Sequence, residues 1–350
     1  MAAHETYMAE CLALAAHGAG NAAPNPMVGA VIVHRDRIIG RGFHEQFGGP
    51  HAEVNAVRST ADSALLREST LYVSLEPCCH FGKTPPCTDL IIGAQIPRVV
   101  VGVTDPFAAV SGGGIKKLRA AGIEVVENIL AAECAELNRR FFTFHREQRP
   151  YVVLKWAETG DGFIARADGS SKWISGETAR TEVHRWRAEE AAIMVGARTA
   201  AIDDPALTVR GVTGKNPLRI VVDSAAALAP TLQLFDRSTP TVVFNTVRES
   251  VEPNLEYVRL SPPLAPRGML AELHRRGVLS VLVEGGSALL TSFIESGLWD
   301  EARIFTNPTV TFETGLAAPV MRVQPRRTES FGGDTLRIVR RAAGSAEPRG

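Results

Sequence analysis

The segment Glu76-Pro-Cys-Cys-His-Phe-Gly-Lys-Thr-Pro-Pro-Cys87, preceded by His51-Ala-Glu53, decides how the first part of this chain folds. It offers one imidazole, from His51, and two thiols, from Cys78 and Cys87, a ligand set that suits Zn²⁺. A structural zinc site normally has a fourth protein ligand, whereas three ligands leave one tetrahedral position open for water. The pattern therefore predicts a metal centre at which chemistry takes place.

The same residue types are typical of zinc-dependent nucleobase deaminases, in which a Glu that is not a metal ligand moves protons. Glu53 supplies such a carboxylate two residues after His51. Those enzymes have two residues between their cysteines, whereas eight residues separate the cysteines here. A zinc knuckle that only stabilises the fold, closed by Cys79 or His80, is the alternative, but it leaves Glu53 without a role.

The composition indicates a two-domain protein with a small substrate. The chain has 350 residues, 45% of them hydrophobic and 22% charged, which is enough for two ordinary cores. There are 38 Lys and Arg residues and 38 Asp and Glu residues, so the net charge is zero. Proteins that bind polynucleotides usually carry a basic excess to neutralise phosphates. The balance favours a small-molecule substrate and no nucleic acid.

Cysteine usage predicts a cytoplasmic protein. The five cysteines are Cys11, Cys78, Cys79, Cys87 and Cys134, an odd number that is grouped in a metal pattern rather than spread as a disulfide framework. Cys11 and Cys134 lie in helical patterns and are expected to be small buried apolar residues, with Cys79 a bystander. The N-terminus has an amphipathic helical pattern rather than that of a signal peptide, and no segment approaches a membrane span.

Helix and strand signals alternate along the first part of the chain, which predicts a three-layer α/β/α fold. The expected order is a helix at 4–18, hairpin strands at 28–33 and 38–43, a helix from 51, a strand at 70–75, a helix after 86, a strand at 98–103, a helix at 112–121, a strand at 123–126 and a helix at 131–145. Residues 146–150 are charged and end in proline, so they form the best linker. We expect domains at 1–147 and 148–350, the second also α/β.

The metal motifs constrain the local backbone. If His51 and Cys78 both lie at strand-to-helix turns, two helix N-termini face the metal and favour thiolate over thiol. Two residues along a continuous helix is a rotation of about 200°, so His51 must lie at or before the first turn for Glu53 to share its cavity. Glu53 would then take a proton from water on the metal, pass it to a ring nitrogen and assist release of ammonia. Hydrolytic deamination is the expected reaction.

Together with Asn25-Pro-Met-Val-Gly29, these motifs resemble the deaminase half of the bifunctional riboflavin-biosynthesis enzymes, which join a cytidine-deaminase-like domain to a reductase. The resemblance implies a pyrimidine ribotide as substrate. It also implies substrate contacts from residues that match family positions, namely Asn25, His44, His80, Lys83 and Asp105, with Lys83 the expected partner of the phosphate.

The second half, from Tyr151 to about Ala343, resembles the reductase partner in the same family, which has a dihydrofolate-reductase-like α/β fold and uses NADPH. The resemblance rests on six short segments, at 155–162, 171–175, 193–196, 203–210, 223–224 and 284–286. The Gly-Gly pair that follows a predicted strand at 280–283 suits a pyrophosphate, because glycine lets backbone N–H groups approach it, and a bare tight turn is the alternative. The G-x-G-x-x-G fingerprint of a Rossmann domain is not the pattern here.

Residue roles in the reductase half follow from the resemblance alone. Hydride from the nicotinamide would reduce the sugar C1 after the ribosylamine opens to an imine. The resemblance places three residues at the reacting centre: Lys155, Asp203 and Glu284. It assigns substrate binding to Ser171, Arg187 and Arg210, with both arginines on the phosphate. It assigns cofactor binding to Gly162, Trp173, Gly196, Thr199, Ser224, Gly285 and Gly286.

Three interpretations compete. The first is the bifunctional riboflavin-pathway enzyme with Zn²⁺ and NADPH as cofactors, expected to be a homo-oligomer, either dimer or tetramer. The second is a zinc nucleoside or nucleic-acid deaminase with an accessory domain, and the third is a metal-stabilised binding protein without turnover. The loop ending at Cys87 and the whole second domain argue against the second interpretation. The open metal position beside Glu53 argues against the third.

Overall fold

The structure, a computed structural model, describes residues 2–81, 85–171 and 174–341. Two residues with sequence-predicted roles, Lys83 and Trp173, therefore lie outside the described residues. The chain divides into two units, 1–148 and 149–350. None of the described helices has the length and apolar character needed to cross a bilayer.

The first unit alternates helices and strands as its hydrophobic pattern predicts. Its elements are α1 (Ala2–Ala16), β1 (Gly29–His34), β2 (Arg37–Phe43), α2 (Ala52–Arg58), β3 (Thr70–Leu75), α3 (Cys87–Gly93), β4 (Arg98–Val103), α4 (Gly113–Ala120), β5 (Glu124–Val126), α5 (Ala131–Leu137) and α6 (Arg139–Arg146). The described strands form one sheet in the order β2-β1-β3-β4-β5. β1 pairs antiparallel with β2 and β3, and β3, β4 and β5 run parallel.

Helices cover both faces of this sheet, which makes the unit three-layered. On one face, a Cβ atom at Gly29 would collide with the α1 backbone at Cys11, so glycine lets α1 lie directly on β1. On the other face, apolar residues of α2, α3 and α4 pack against Ala30, Ile32 and Leu71 in one buried cluster. The runs of buried residues in β1, β3 and β4 follow from this double covering.

One predicted helix is wrong in its extent. Residues 131–145 form two helices, α5 and α6, which are separated at Asn138. The Asn138 side chain accepts a hydrogen bond from the Met27 backbone N–H and donates one to the Met27 carbonyl, both at 2.8 Å. This contact joins residues 111 positions apart, and helical periodicity contains no information about it. The tertiary hydrogen bonds therefore override the local helical pattern.

The expected linker is partly structural. Helix α6 ends at Arg146, but Arg149 is buried and pairs with Asp300 through two hydrogen bonds of 2.6 and 2.8 Å. A bidentate pair of this kind fixes the geometry of the chain as well as its charge. Arg149 therefore begins the second unit.

The second unit is a larger α/β structure. Its elements are β6 (Tyr151–Thr159), β7 (Phe163–Arg166), α7 (Glu177–Glu189), β8 (Ala192–Gly196), α8 (Ala197–Asp203), β9 (Leu218–Val222), β10 (Thr241–Asn245), β11 (Ser250–Glu252), β12 (Leu255–Arg259), α9 (Pro266–Arg275), β13 (Ser280–Val283), α10 (Ser287–Glu295), β14 (Glu301–Asn307), β15 (Gly315–Ala317), β16 (Arg327–Phe331) and β17 (Asp334–Arg340). The main described sheet has the order β11-β12-β10-β9-β8-β13-β6-β14-β17-β16, and β15 pairs with β7.

Alternation along β6 shows how this sheet is covered on both faces. Val152 and Leu154 belong to one buried cluster with residues of α9 and α10, whereas Tyr151 and Val153 belong to another with residues of α7. From β12 to β14 in that order, each strand runs parallel to the next, whereas β11, β17 and β16 are antiparallel to the strands that they pair with. Ligand sites in such sheets lie at the carboxyl ends of the strands.

Candidate active sites

The three predicted metal ligands meet in the first unit. The ligand atoms of His51, Cys78 and Cys87 all lie within 4.8 Å of one another. His51 immediately precedes α2 in an extended conformation, as its expected position before the first turn requires. Helix α3 begins at Cys87, with Pro86 as the residue before it, rather than directly after Cys78. The Cys87 backbone N–H donates to the Cys78 sulfur at 3.3 Å, so the helix N-terminus still faces that sulfur.

The distances in this cluster fit zinc. His51 Nδ1 lies 3.5 Å from the Cys78 sulfur and 3.3 Å from the Cys87 sulfur. Tetrahedral bonds of ordinary Zn–N and Zn–S length would separate these atoms by about 3.6 Å. The Cys87 thiol, as a hydrogen-bond donor, lowers the pKa of the Cys78 thiol well below its usual range. One ligand is therefore ready as a thiolate, which is the form that binds a metal.

Glu53 lies in the first turn of α2 and is 3% exposed. Burial raises the pKa of its carboxyl group, the charge of Cys78 raises it further, and His51 opposes the shift. A carboxylate that binds a proton more readily than usual suits a group that must accept and return protons near neutral pH.

Asn25 and His44 lie next to the metal ligands. The Asn25 side-chain amide and His44 Nε2 are 3.1 Å apart, and His44 Nδ1 lies 3.0 Å from the Pro50 carbonyl oxygen. With Nδ1 donating to that carbonyl, Nε2 accepts from Asn25. The rings of His44 and His51 meet edge to face with centroids 5.4 Å apart. Burial lowers the pKa of His44, which keeps its imidazole neutral.

Asp105 and His80 meet around Phe107, a residue that the sequence analysis missed. Asp105 is buried after β4, and one of its carboxylate oxygens accepts the Phe107 N–H at 2.8 Å. The Phe107 ring, 38% exposed, lies with its centroid 5.9 Å from that of exposed His80. An aromatic residue in a loop gives little signal in a single sequence, because it reads as an ordinary surface residue.

Cys79 and the remaining cysteines behave as expected. Cys79 directs its sulfur to the Ala109 carbonyl oxygen at 3.8 Å. Cys11 and Cys134 are fully buried. All five cysteines are free thiols.

In the second unit, a cavity of about 700 Å³ collects most of the predicted reductase residues. The predicted residues that line it are Lys155, Ser171, Gly196, Thr199, Asp203, Arg187, Arg210, Glu284, Gly285 and Gly286. Gly162 and Ser224 are absent from the described lining. Gly162 instead accepts the Ala318 N–H in the turn after β6, and Ser224 accepts the Thr246 N–H.

Strand register brings Lys155 and Glu284 together. Val283 of β13 pairs with Leu154 of β6 on one side and with Met194 of β8 on the other. Glu284 directly follows Val283, and Lys155 directly follows Leu154. These two residues are therefore neighbours across the two parallel strands. Burial lowers the pKa of the Lys155 ammonium group, and the Glu284 carboxylate opposes that shift.

Arg187 is paired with Glu284 in the structure. Its Nε and Nη2 donate to the two carboxylate oxygens at 2.6 and 2.7 Å, and its Nη1 donates to the Thr208 carbonyl at 3.2 Å. Burial alone would raise the pKa of Glu284, but Arg187 and then Lys155 lower it below its usual range. Glu284 is therefore held as an anion, and the phosphate contact expected of Arg187 competes with this pair.

Helix α7 contributes two lining residues that the sequence analysis missed, Arg180 and His184. The spacing of Arg180, His184 and Arg187 is i, i+4, i+7, which places them on one helical face. His184 Nδ1 accepts the Arg210 backbone N–H at 3.1 Å. Burial, together with Arg187 and Arg210, lowers the pKa of His184. The i, i+4, i+7 spacing of Arg180, His184 and Arg187 in the sequence was a usable signal for this basic face of the helix.

A glycine-rich part of the cavity lining lies where α8 and α10 begin. Gly285 and Gly286 have φ values of +153° and +77°, and a Cβ atom at Gly286 would come within 3.3 Å of Thr199 Oγ1. Gly286 also precedes the first turn of α10, where no side chain caps the free backbone N–H groups. A cavity of this size lined by several cations, with glycines beside a helix N-terminus, fits NADPH.

Comparison with known proteins finds a family for each part of the chain. Residues 1–103 match the family described as the cytidine and deoxycytidylate deaminase zinc-binding region, and residues 150–328 match the RibD C-terminal domain. The chain is 39% identical over 352 residues to the riboflavin biosynthesis protein RibD of Aquifex aeolicus, an alignment that covers 96% of this chain and 98% of that protein. The corresponding protein of Synechocystis is 40% identical over 326 residues, covering 91% and 88%.

A solved structure shows the same architecture. The diaminohydroxyphosphoribosylaminopyrimidine deaminase/5-amino-6-(5-phosphoribosylamino)uracil reductase of Thermotoga maritima is 38% identical, with a TM-score of 0.88 and coverage of 97% of this chain and 99% of that chain.

The fold and the sites define a bifunctional enzyme in which a zinc-dependent deaminase domain of the cytidine-deaminase type is joined to an NADPH-dependent reductase domain of dihydrofolate-reductase-like fold. The chain belongs to the RibD family of riboflavin biosynthesis proteins. The family, fold class, pair of activities and cofactors predicted from sequence are thus confirmed.

Proposed function

We propose that this chain deaminates diaminohydroxyphosphoribosylaminopyrimidine hydrolytically and then reduces the product, 5-amino-6-(5-phosphoribosylamino)uracil, with NADPH. These are the activities named for the Thermotoga relative. One observation carries the proposal: the same chain holds a three-ligand metal cluster beside a buried carboxylate and a separate cationic cavity.

In the deaminase site, His51, Cys78 and Cys87 would hold the zinc ion, which would supply an activated water. The Glu53 carboxylate would accept the proton lost by the attacking water, deliver it to the pyrimidine ring and then assist the departure of ammonia. Its raised pKa supports both directions of transfer. The neutral His44, held by Asn25, presents a fixed polar edge beside the reacting ring.

Substrate binding in this site is assigned to the predicted residues Asn25, His44, His80, Lys83 and Asp105. The hydrogen bonding of Asp105 supports its assignment. One carboxylate oxygen accepts the Phe107 N–H, and the other makes no hydrogen bond to a described residue. An exocyclic amino group of the pyrimidine is the donor that such an oxygen would accept. Lys83 lies outside the described residues, so its phosphate contact rests on sequence alone.

In the reductase cavity, bound NADPH would supply hydride to the sugar C1. The proposed reacting centre contains Lys155, Asp203 and Glu284. Lys155 makes no hydrogen bond to a described residue, and its lowered pKa suits a group that gives a proton to the opened sugar. Ser171 donates to Asp203 at 3.2 Å, which orients that carboxylate toward the shared lining.

The substrate phosphate in this cavity is assigned to Arg210 in preference to Arg187. The guanidinium group of Arg210 is exposed at the cavity and makes no hydrogen bond to a described residue, whereas that of Arg187 is committed to Glu284. A free guanidinium binds phosphate with two parallel hydrogen bonds. The cofactor is assigned to Gly196, Thr199, Gly285 and Gly286, with Gly162, Trp173 and Ser224 as further predicted contacts.

The remaining assignments concern the domains, the partners, the location and the assembly of the enzyme. Deamination belongs to residues 1–147 and reduction to residues 148–350. The balanced charge supports a small-molecule partner and no nucleic acid, and the free cysteines support a cytoplasmic location. A homo-oligomer, dimer or tetramer, is the proposed assembly.

The direct test gives the zinc-loaded protein the diaminopyrimidine ribotide with and without NADPH and identifies products by mass. Without NADPH only the deaminated compound is expected, and with NADPH the ribityl product should follow. Formation of neither product by a folded, zinc-loaded protein would refute the proposal. Metal analysis should find about one Zn²⁺ per chain, and Cys87→Ser should lose most of it.

A further inference from the structure

Glu76 is a buried carboxylate without a role in the chemistry described above. It follows β3, lies two residues before Cys78 and is 3% exposed. One of its oxygens accepts the backbone N–H groups of Asp105, at 3.2 Å, and Gly112, at 2.9 Å, and the other accepts that of Ile115, at 3.1 Å. All three donors come from the segment that follows β4.

These contacts make Glu76 the missing cap of α4. Gly112 precedes this helix with φ +75° and has no side chain to cap it. The N–H group of the third helical residue, here Ile115, is the one that a capping side chain normally satisfies. Glu76 satisfies it from 39 positions away. Contact is close, because a Cβ atom at Gly114 would collide with the Pro77 carbonyl oxygen.

The same carboxylate connects the two halves of the proposed deaminase site. On its own strand it leads through Pro77 into the metal ligand Cys78. Across the sheet it holds the backbone of Asp105, the proposed substrate contact, because Leu75 and Val103 pair directly at the ends of β3 and β4. The position of Asp105 relative to Cys78 therefore depends on Glu76.

We propose that Glu76 is a positioning residue for deamination, whose carboxylate fixes Asp105, and with it the pyrimidine, relative to the metal ligand Cys78. The proposal rests on the proposed deaminase function. Glu76→Gln is the informative variant: a primary amide keeps one acceptor oxygen and places an NH₂ group against backbone N–H donors, so at least one donor loses its partner.

The test uses full-length, zinc-loaded protein and measures kcat and KM separately for deamination of the ribotide. For Glu76→Gln we expect one zinc per chain, a KM raised by about tenfold or more and a kcat within about threefold of the unmodified value. Amide hydrogen exchange should become faster at Asp105, Gly112 and Ile115. NADPH oxidation with the pre-deaminated substrate should be unchanged, because that site lies in the other unit.

Asp334→Asn is the matched control. Asp334 is also a buried carboxylate, and it accepts the N–H of Gly176, the residue that precedes α7. This variant should leave the KM for deamination unchanged. If Glu76→Gln does not fold, Glu76→Asp, which retracts the carboxylate by one methylene, replaces it, again with a raised KM expected.

An unchanged KM in either zinc-loaded Glu76 variant would overturn the proposal, and so would a fall confined to kcat. Absence of deamination by the unmodified protein would instead refute the proposed function itself.

Discussion

The two units each bury a glutamate at the proposed reacting centre, and the surroundings move the two pKa values in opposite directions. Burial raises the pKa of Glu53, and the negative charge of the neighbouring Cys78 thiolate raises it further. Burial would also raise the pKa of Glu284, but the bidentate pair with Arg187 and the nearby Lys155 lower it. One carboxyl group is poised to bind a proton, and the other is held as an anion.

This difference shows how the same type of side chain can act in deamination and in reduction. Hydrolytic deamination needs a group that accepts and returns protons, and burial together with the charge of Cys78 gives Glu53 the raised pKa that suits this role. In the reductase cavity the hydride comes from the cofactor, and an anion beside Lys155 favours the protonated ammonium form. Charge partners therefore decide the role of each glutamate, since both are buried.

The largest expected effect comes from removing the carboxylate of Glu53. Glu53→Gln removes the proton carrier but keeps its shape, so deamination should fall by about a thousandfold while zinc content stays at one per chain. Steady-state assays and metal analysis on the same sample measure both quantities. Glu133→Gln, an exposed glutamate in α5, is the control and should retain full activity. Retained deamination in Glu53→Gln would show that another group moves the proton.

The reductase activity of the same Glu53→Gln protein should be unaffected. Its rate of NADPH oxidation with pre-deaminated substrate should equal that of the unmodified chain, because the second unit contains its own proposed reacting groups. Loss of both activities in a folded, zinc-loaded variant would contradict independent sites.

A second substitution tests the negative charge of Glu284. Glu284→Gln removes the anion and leaves the largely buried Arg187 without a charge partner, which should lower the free energy of unfolding of the second unit by about 3 kcal/mol. Reductase kcat/KM should fall by about a hundredfold or more as Lys155 loses its anionic neighbour. Denaturant titration and initial rates measure the two effects.

A more exposed pair on the same helix provides the control for this variant. Arg185 and Glu182 form an i, i+3 ion pair at 2.9 Å, with side chains 60% and 21% exposed, and Glu182→Gln should change stability by about 0.5 kcal/mol or less. Equal losses in the two variants would show that burial of the Arg187–Glu284 pair carries no special weight.

The sequence predicted those parts of both sites that depend on residue type and local pattern. Zinc chemistry requires imidazole and thiolate, so His51, Cys78 and Cys87 were recognisable without any knowledge of the fold, and the structure brings them together. The strands at 70–75 and 98–103 also coincide with their predicted bounds, because buried apolar runs mark them.

What the sequence did not predict depends on contacts between distant residues. The break at Asn138 comes from hydrogen bonds to Met27, and the commitment of Arg187 comes from a carboxylate 97 positions away. Glu76 lay inside the quoted motif, but its three N–H partners are known only once β3 and β4 are side by side. Periodicity and residue type contain no information about such pairings.

The smallest expected effect concerns a third buried carboxylate, Asp105. Burial raises its pKa from 3.8 to about 7, with further contributions from Glu76 and Cys78 and opposition from the Phe107 N–H. Because the folded state binds this proton more tightly than the unfolded state, the contribution of Asp105 to stability is lost as pH rises from about 4 through 7. The ionised side chain therefore destabilises the first unit at alkaline pH.

Asp105→Asn removes this titration and keeps the acceptor oxygen for the Phe107 N–H. At about pH 8 the variant should exceed the unmodified protein in free energy of unfolding by about 2 kcal/mol, less than the roughly 4 kcal/mol that the full rise in the pKa of Asp105 would give without relaxation. The difference should vanish below about pH 4, where both side chains are neutral. Urea titrations of the first unit at several pH values measure it, and parallel curves would show that Asp105 ionises at its ordinary pKa. A gain in stability together with a raised KM for deamination would place Asp105 beside Glu53, as a carboxyl group that is held at a cost in stability because substrate binding requires it.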